Sequence, residues 1–155
     1  MNAVTTHEAG ALETALRARR DSGAKLLVPY ITGGYPGWER AVEAAVSAGA
    51  DAIEIGIPFS DPVIDGPIIQ QASQAALDDG ATPPAILTAV SRLDVDRPLT
   101  VMTYYNLVHH EGHERFASRL AESGIAACIV PDLPLDESGP WCEAADAAGV
   151  ETVML

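Results

Sequence analysis

No apolar run in these 155 residues approaches the roughly 20 that a membrane-crossing helix needs. The opening Met-Asn-Ala-Val-Thr-Thr-His-Glu lacks the basic-then-apolar order of a secretory signal. A cytoplasmic protein with no membrane association is therefore expected. Basic side chains are scarce, 9 Lys and Arg against 22 Asp and Glu, and the formal charge of −13 excludes the basic footprint that nucleic-acid binding requires. Cysteine is nearly absent: Cys128 and Cys142 stand alone, with no Cys-x-x-Cys and no disulfide framework. Both read as reduced thiols serving as small apolar residues. What is plentiful is apolar content, 48% of the chain against 20% charged, which suits one soluble domain with a real core.

Strand-like and helix-like segments alternate along the chain. A helical leader (8–20, within residues 1–23) carries Leu12, Ala15 and Leu16 on one face. Strand-like runs follow at 25–32, 51–58, 99–106, 125–133 and 151–155. Helix-like segments lie between them at 38–48, 67–79, 83–93, 114–123 and 137–148. Ala41, Ala44, Ala45 and Ala48 form one helical face, and Gly49 closes that helix. Thr82 and Pro83 have the chemistry to open another. Such alternation with apolar strands predicts βαβ units and a parallel sheet. A doubly wound sheet would carry Gly-x-Gly-x-x-Gly after its first strand. Gly33-Gly34-Tyr35-Pro36-Gly37 lacks that spacing. A (β/α)8 barrel takes about 250 residues, so residues 24–155 read as its first five strands and the domain as a partial barrel, truncated after the fifth.

The richest segment is Glu54-Ile-Gly-Ile-Pro-Phe-Ser-Asp-Pro-Val-Ile-Asp-Gly-Pro67. Side chains alternate along a strand, so Ile53, Ile55 and Ile57 share one face and Ala52, Glu54, Gly56 and Pro58 the other. A carboxylate inside an apolar strand is costly to desolvate. Glu54 is thus a candidate for chemistry, or else a buried Glu held by an Arg or backbone donors. Asp65 reads equally as a second functional carboxylate or as a turn residue before Gly66. His109-His110-Glu111-Gly112-His113 lacks the His-Glu-x-x-His spacing and is expected to be a solvated loop, with no metal site.

Pro58-Phe59-Ser60-Asp61-Pro62, Asp65-Gly66-Pro67 and Gln70 together resemble the tryptophan synthase α subunit family. Supporting blocks are Val28-Pro29-Tyr30-Ile31-Thr32-Gly33-Gly34-Tyr35-Pro36, Gly49-Ala50-Asp51, Met102-Thr-Tyr-Tyr-Asn-Leu107 and Ile129-Val130-Pro131-Asp132-Leu133-Pro134. The resemblance covers about residues 24–155. It implies a TIM barrel and a lyase that splits indole-3-glycerol phosphate into indole and glyceraldehyde 3-phosphate. By motif position Glu54 and Asp65 match the family's catalytic carboxylates, and Tyr30 and Tyr104 fall where it lines the indole pocket. Ser60, Asp61 and Pro62, with Asn106, match the surface that meets a β subunit in an α2β2 heterotetramer. No cofactor is expected in this chain; pyridoxal phosphate belongs to that partner.

Ile64 and Ile68 depart from the smaller residue and Thr more usual in the family, so the behaviour of the loop around Asp65 is expected to differ. The phosphate-binding loops of a barrel follow strands 7 and 8, beyond residue 155, so these residues alone are expected to be inactive. Two alternatives stand beside the lyase: a non-catalytic module that binds a β subunit through residues 60–65, and another TIM-barrel enzyme acting on a phosphorylated sugar.

Overall fold

Five strands form one parallel sheet in sequence order: β1 (Tyr30–Thr32), β2 (Ile53–Gly56), β3 (Leu99–Met102), β4 (Ile125–Ile129) and β5 (Glu151–Val153). The computed structural model describes residues 8–154. The first seven residues read above for a signal, and Leu155 at the end of the fifth strand-like run, lie outside that range. The helices are α1 (Ala11–Asp21), α2 (Trp38–Ser47), α3 (Pro67–Asp78), α4 (Pro83–Val90), α5 (Tyr105–Glu111), α6 (His113–Glu122) and α7 (Gly139–Ala148). A 3-10 turn, Leu135–Glu137, precedes α7.

The strand order decides between the two architectures. A doubly wound sheet reverses direction at a switch point, whereas here each strand pairs with the next in sequence. The helices also gather on one face. Val42 of α2, Leu87 of α4, Phe116 of α6 and Trp141 of α7 share one apolar cluster with Ile53, Ile55 and Ile57. Each large side chain buried there contributes about 1.5–3 kcal/mol. The other face of the sheet is the inner wall of a partial (β/α)8 barrel.

Helix α1 belongs to the N-terminal end of that wall. Leu12 packs with Ala52 and Ala127 in a separate small cluster. The N-cap, Gly10, has no side chain to satisfy the first helical N–H groups. The Glu151 carboxylate does so from β5, accepting from Leu12 N at 2.7 Å and Glu13 N at 2.9 Å.

Several expectations need correction. The first strand is three residues long, not eight. Pro29 offers no N–H to a ladder, and the Leu27 N–H turns to the Asp51 carboxylate at 2.8 Å. Of the alanine face on α2, Ala41 and Ala44, with Ala48 at the C-cap, are exposed and only Ala45 packs against the core. Trp38 and Val42 are buried instead, because larger apolar side chains gain more from the core. The third strand ends at Met102, so Asn106 is not in it but in the first turn of α5. His109, His110 and Glu111, expected in a loop, complete that helix. The reason is non-local: Asp132, after β4, accepts the Tyr105 N–H at 2.8 Å and starts α5 from a neighbouring segment. Gly112, at φ +93°, then separates α5 from α6, a conformation that L side chains rarely adopt.

Candidate functional site

Tyr30, Glu54 and Thr100 stand in register on β1, β2 and β3. Parallel pairing in register puts them on the same inner face, opposite the isoleucines. Thr100 donates its hydroxyl to the Ile53 carbonyl at 3.2 Å. Glu54 is half-buried, and burial raises its carboxyl pKa above the ordinary value. Gly56, two residues on, is small for a reason. A Cβ there would lie 1.9 Å from Tyr30 Oη, so the absent side chain makes room for the phenol. Burial pushes that phenol up to about 12, against a hydrogen bond with the Thr32 side chain. The charges of Asp65 and Glu54, and then Tyr104, push it further the same way. That influence brings Tyr30, Glu54, Asp65 and Tyr104 into one electrostatic neighbourhood.

Asp65 lies in the irregular segment between β2 and α3, so its place depends on side chains that hold the backbone. Tyr104, 2% exposed, accepts from the N–H groups of Ile64 and Asp65, each at 3.2 Å. Phe59 stacks on the Tyr104 ring at 5.2 Å between centroids. Burial raises the Tyr104 phenol, the two backbone donors oppose that, and the Asp65 carboxylate adds to it. Tyr104, expected in the aromatic wall, therefore also anchors the loop that bears Asp65. Gln70 Nε2 donates to the Asp65 carbonyl at 2.8 Å. Sequence reasoning quoted Gln70 and Phe59 without a role for either, and saw only that Gly56 was small. Residue spacing contained no signal for a phenol resting over Gly56.

The expected partner-facing residues sit on the outer side of the same loop. Ser60 and Asp61 are exposed, and Ser60 Oγ donates to Asp61 Oδ2 at 2.6 Å. Pro62 lines a groove of about 270 Å³ with Phe59, Ser60, Pro67, Gln70 and Gln71. Asn106 is exposed on α5. Val63, Ile64 and Ile68 are 80%, 55% and 78% exposed, an apolar rim flanking Asp65. A larger concavity, about 700 Å³, is elsewhere: Leu12, Leu16, Leu26 and Glu151 place it beside α1 at the other end of the sheet.

The remaining candidates are structural in character. His113 Nε2 lies 3.0 Å from the Tyr105 hydroxyl, while His109 and His110 are exposed. Among the described residues, no three His, Cys, Asp or Glu side chains gather as a metal-binding group. Cys128 is fully enclosed in β4, and burial raises its thiol pKa; Cys142 is half-buried in α7. No helix among the described residues is long and apolar enough to cross a membrane.

The sequence profile described as "Tryptophan synthase alpha chain" matches residues 16–155, beginning inside α1 rather than near residue 24. The tryptophan synthase alpha chain of Streptomyces coelicolor is 42% identical over 149 residues, covering 93% of this chain and 55% of the relative. That of Natronomonas pharaonis is 44% identical over 137 residues, covering 83% and 50%. Among solved structures, tryptophan synthase subunit alpha from Legionella pneumophila superposes with a TM-score of 0.89 at 30% identity, covering 94% of this chain and 58% of that one. Tryptophan synthase from Mycobacterium tuberculosis gives a TM-score of 0.89 at 35% identity, covering 95% and 61%. The chain spans about half the length of the curated relatives it matches. With the profile match taking in the second half of α1 and all five strands, this chain belongs to the tryptophan synthase alpha chain family.

Proposed function

We propose that these five strands supply the acid–base wall of a lyase that cleaves indole-3-glycerol phosphate into indole and glyceraldehyde 3-phosphate. The observation that carries the reading is Glu54. It is a half-buried carboxyl with a raised pKa, in register with Tyr30, whose phenol feels the charges of both Glu54 and Asp65.

The reaction needs a proton on indole C3 and loss of a proton from the glycerol hydroxyl next to the bond that breaks. The electron pair of the hydroxyl O–H bond becomes the aldehyde C=O. The pair of the broken C–C bond returns to the protonated ring. A carboxyl group whose pKa lies nearer neutrality performs both transfers, giving one proton and taking the other. Asp65 accepts from the indole N–H and offsets the positive charge that C3 protonation creates. Tyr30, with its phenol kept neutral, offers a flat wall to the indole ring. Tyr104 serves the same pocket from behind the loop.

Substrate phosphate is held elsewhere, in the loops that follow strands 7 and 8 of a barrel. Ser60, Asp61, Pro62 and Asn106, with the apolar rim of Val63, Ile64 and Ile68, form the surface that receives a β subunit. The exposure of that rim supports a protein partner. Pyridoxal phosphate belongs to that partner, and the lyase step requires none.

The test is steady-state cleavage by a chain carried through the full length of its relatives. Asp65→Asn, which cannot offset ring charge, is expected to lower kcat while KM holds, the mark of an interaction made in the transition state. Unchanged kcat would return Asp65 to the role of a turn residue and overturn the assignment.

A further inference from the structure

The loop that carries Asp65 is held at both backbone groups of that residue, by side chains from two different elements. Tyr104, at the start of α5, takes its N–H. Gln70, in the first turns of α3, donates to its carbonyl at 2.8 Å. A carbonyl oxygen can only accept, so the amide nitrogen of Gln70 is the atom that faces it.

The arrangement is not an ordinary helix cap. In a capping box the side chain at the third helical position reaches back to the N-cap N–H. Here the N-cap is Gly66, which makes no side-chain cap bond, and Pro67 follows it. Gln70 reaches past both, to the carbonyl of the residue before the cap. Gln74 on the same helix bonds instead to Asp78, four residues on. With both peptide groups of Asp65 engaged, only two side-chain torsions are left to set its carboxylate direction, and the Tyr104 hydroxyl bonds to that carboxylate. The same hydroxyl also holds the Ile64 N–H, while the side chains of Asp61, Val63 and Ile64 are exposed.

We propose that Gln70 is a positioning residue for the lyase reaction: by holding the Asp65 carbonyl it aims the Asp65 carboxylate at the indole nitrogen. The inference rests on the reading of Asp65 given above. Gln70 touches no substrate atom and acts through Asp65.

The experiment is a donor series and a double-mutant cycle in the full-length chain with its β subunit, followed by kcat, KM and thermal midpoint. Gln70→Met keeps the length without a donor, and Gln70→Glu sets an acceptor against the carbonyl. Both are expected to lower kcat by about threefold to tenfold, the scale of one hydrogen bond, with KM and the midpoint little changed. Gln70→Arg, which restores an N–H donor of similar reach, recovers part of the loss. In an Asp65→Asn background, Gln70→Met has no further effect, because the group it aims is no longer charged.

An equal fall in both backgrounds would make Gln70 a structural residue and overturn the proposal, as would full kcat in Gln70→Met. If Asp65→Asn itself leaves kcat unchanged, the functional reading fails, and this inference with it. The Asp65→Asn arm alone reports that case, so the two failures are distinct.

Discussion

On the outer face of β2, Ile53 and Ile55 are fully buried and Ile57 is 4% exposed, all three inside the cluster that joins the sheet to α2, α4, α6 and α7. One residue away, the inner face presents Ala52, Glu54 and Gly56. Ala52 packs under α1, Gly56 yields its space to Tyr30, and Glu54 stays half-buried with a raised pKa. The same four-residue strand thus spends one face on burial and the other on keeping a carboxyl partly out of water. A desolvated acid persists when its surroundings are fixed by something other than itself, and the isoleucine face supplies that rigidity.

The largest effect expected on the inner face is chemical. Glu54→Gln keeps shape and hydrogen-bonding size but carries no exchangeable acid. In a full-length chain it should lower kcat for indole-3-glycerol phosphate cleavage by about 10²–10⁴-fold, with fold and substrate binding kept. Retention of more than about a tenth of the parent kcat would mean that Glu54 is a structural carboxylate, and the contrast between the faces would collapse.

The outer face should fail in the opposite way. Ile55→Ala removes a fully enclosed side chain at the centre of the sheet and should cost about 2–5 kcal/mol of stability, read from urea denaturation. Activity per folded molecule should hold. A loss of kcat in the folded fraction, with stability unchanged, would show that the two faces are not separable.

Gly56→Ala sits between these cases. Its Cβ would fall 1.9 Å from Tyr30 Oη, so the phenol must move off the strand. Overpacking of this kind costs about 1–3 kcal/mol. Tyr30, displaced toward water, should titrate below its present value of about 12, closer to 10, in absorbance at alkaline pH. An unchanged phenol titration would mean that the ring finds another buried seat.

The isoleucine face and the placement of Glu54 were legible because strand alternation is a local rule and Asp51–Pro58 obeys it. The parallel sheet was legible for the same reason. What escaped was set by contacts far apart in sequence. Asn106 read as strand because the apolar run continues, yet Asp132 starts a helix there from 27 residues away. The leader lay outside the resemblance, but Glu151 caps it across 139 positions and Leu12 packs with Ala52 at the end of the wall. At the site, Glu54 and Asp65 stood out by residue type. Tyr104 read as an aromatic wall, since no spacing reveals that its hydroxyl holds two backbone N–H groups.

The smallest effect sharpens the comparison most, because it isolates the proton of Glu54 from catalysis. Burial lifts the carboxyl above its ordinary 4.5. Between that value and its folded pKa, the native chain holds a proton that the unfolded chain has released. Stability therefore falls as pH rises through this window and levels off once the folded form has also ionised. Glu54→Gln has no such proton to lose. Relative to the parent, the variant should gain stability as pH climbs from about 4 toward neutrality, while the difference stays flat below that range, where both parent states are protonated. Urea midpoints of parent and variant across that range give the measurement. Ile55→Ala, carrying no titratable group, should lower stability by a constant amount over the same range. If the Glu54→Gln difference were equally flat, native contacts would offset the desolvation of Glu54. The inner face would then be as purely structural as the outer one.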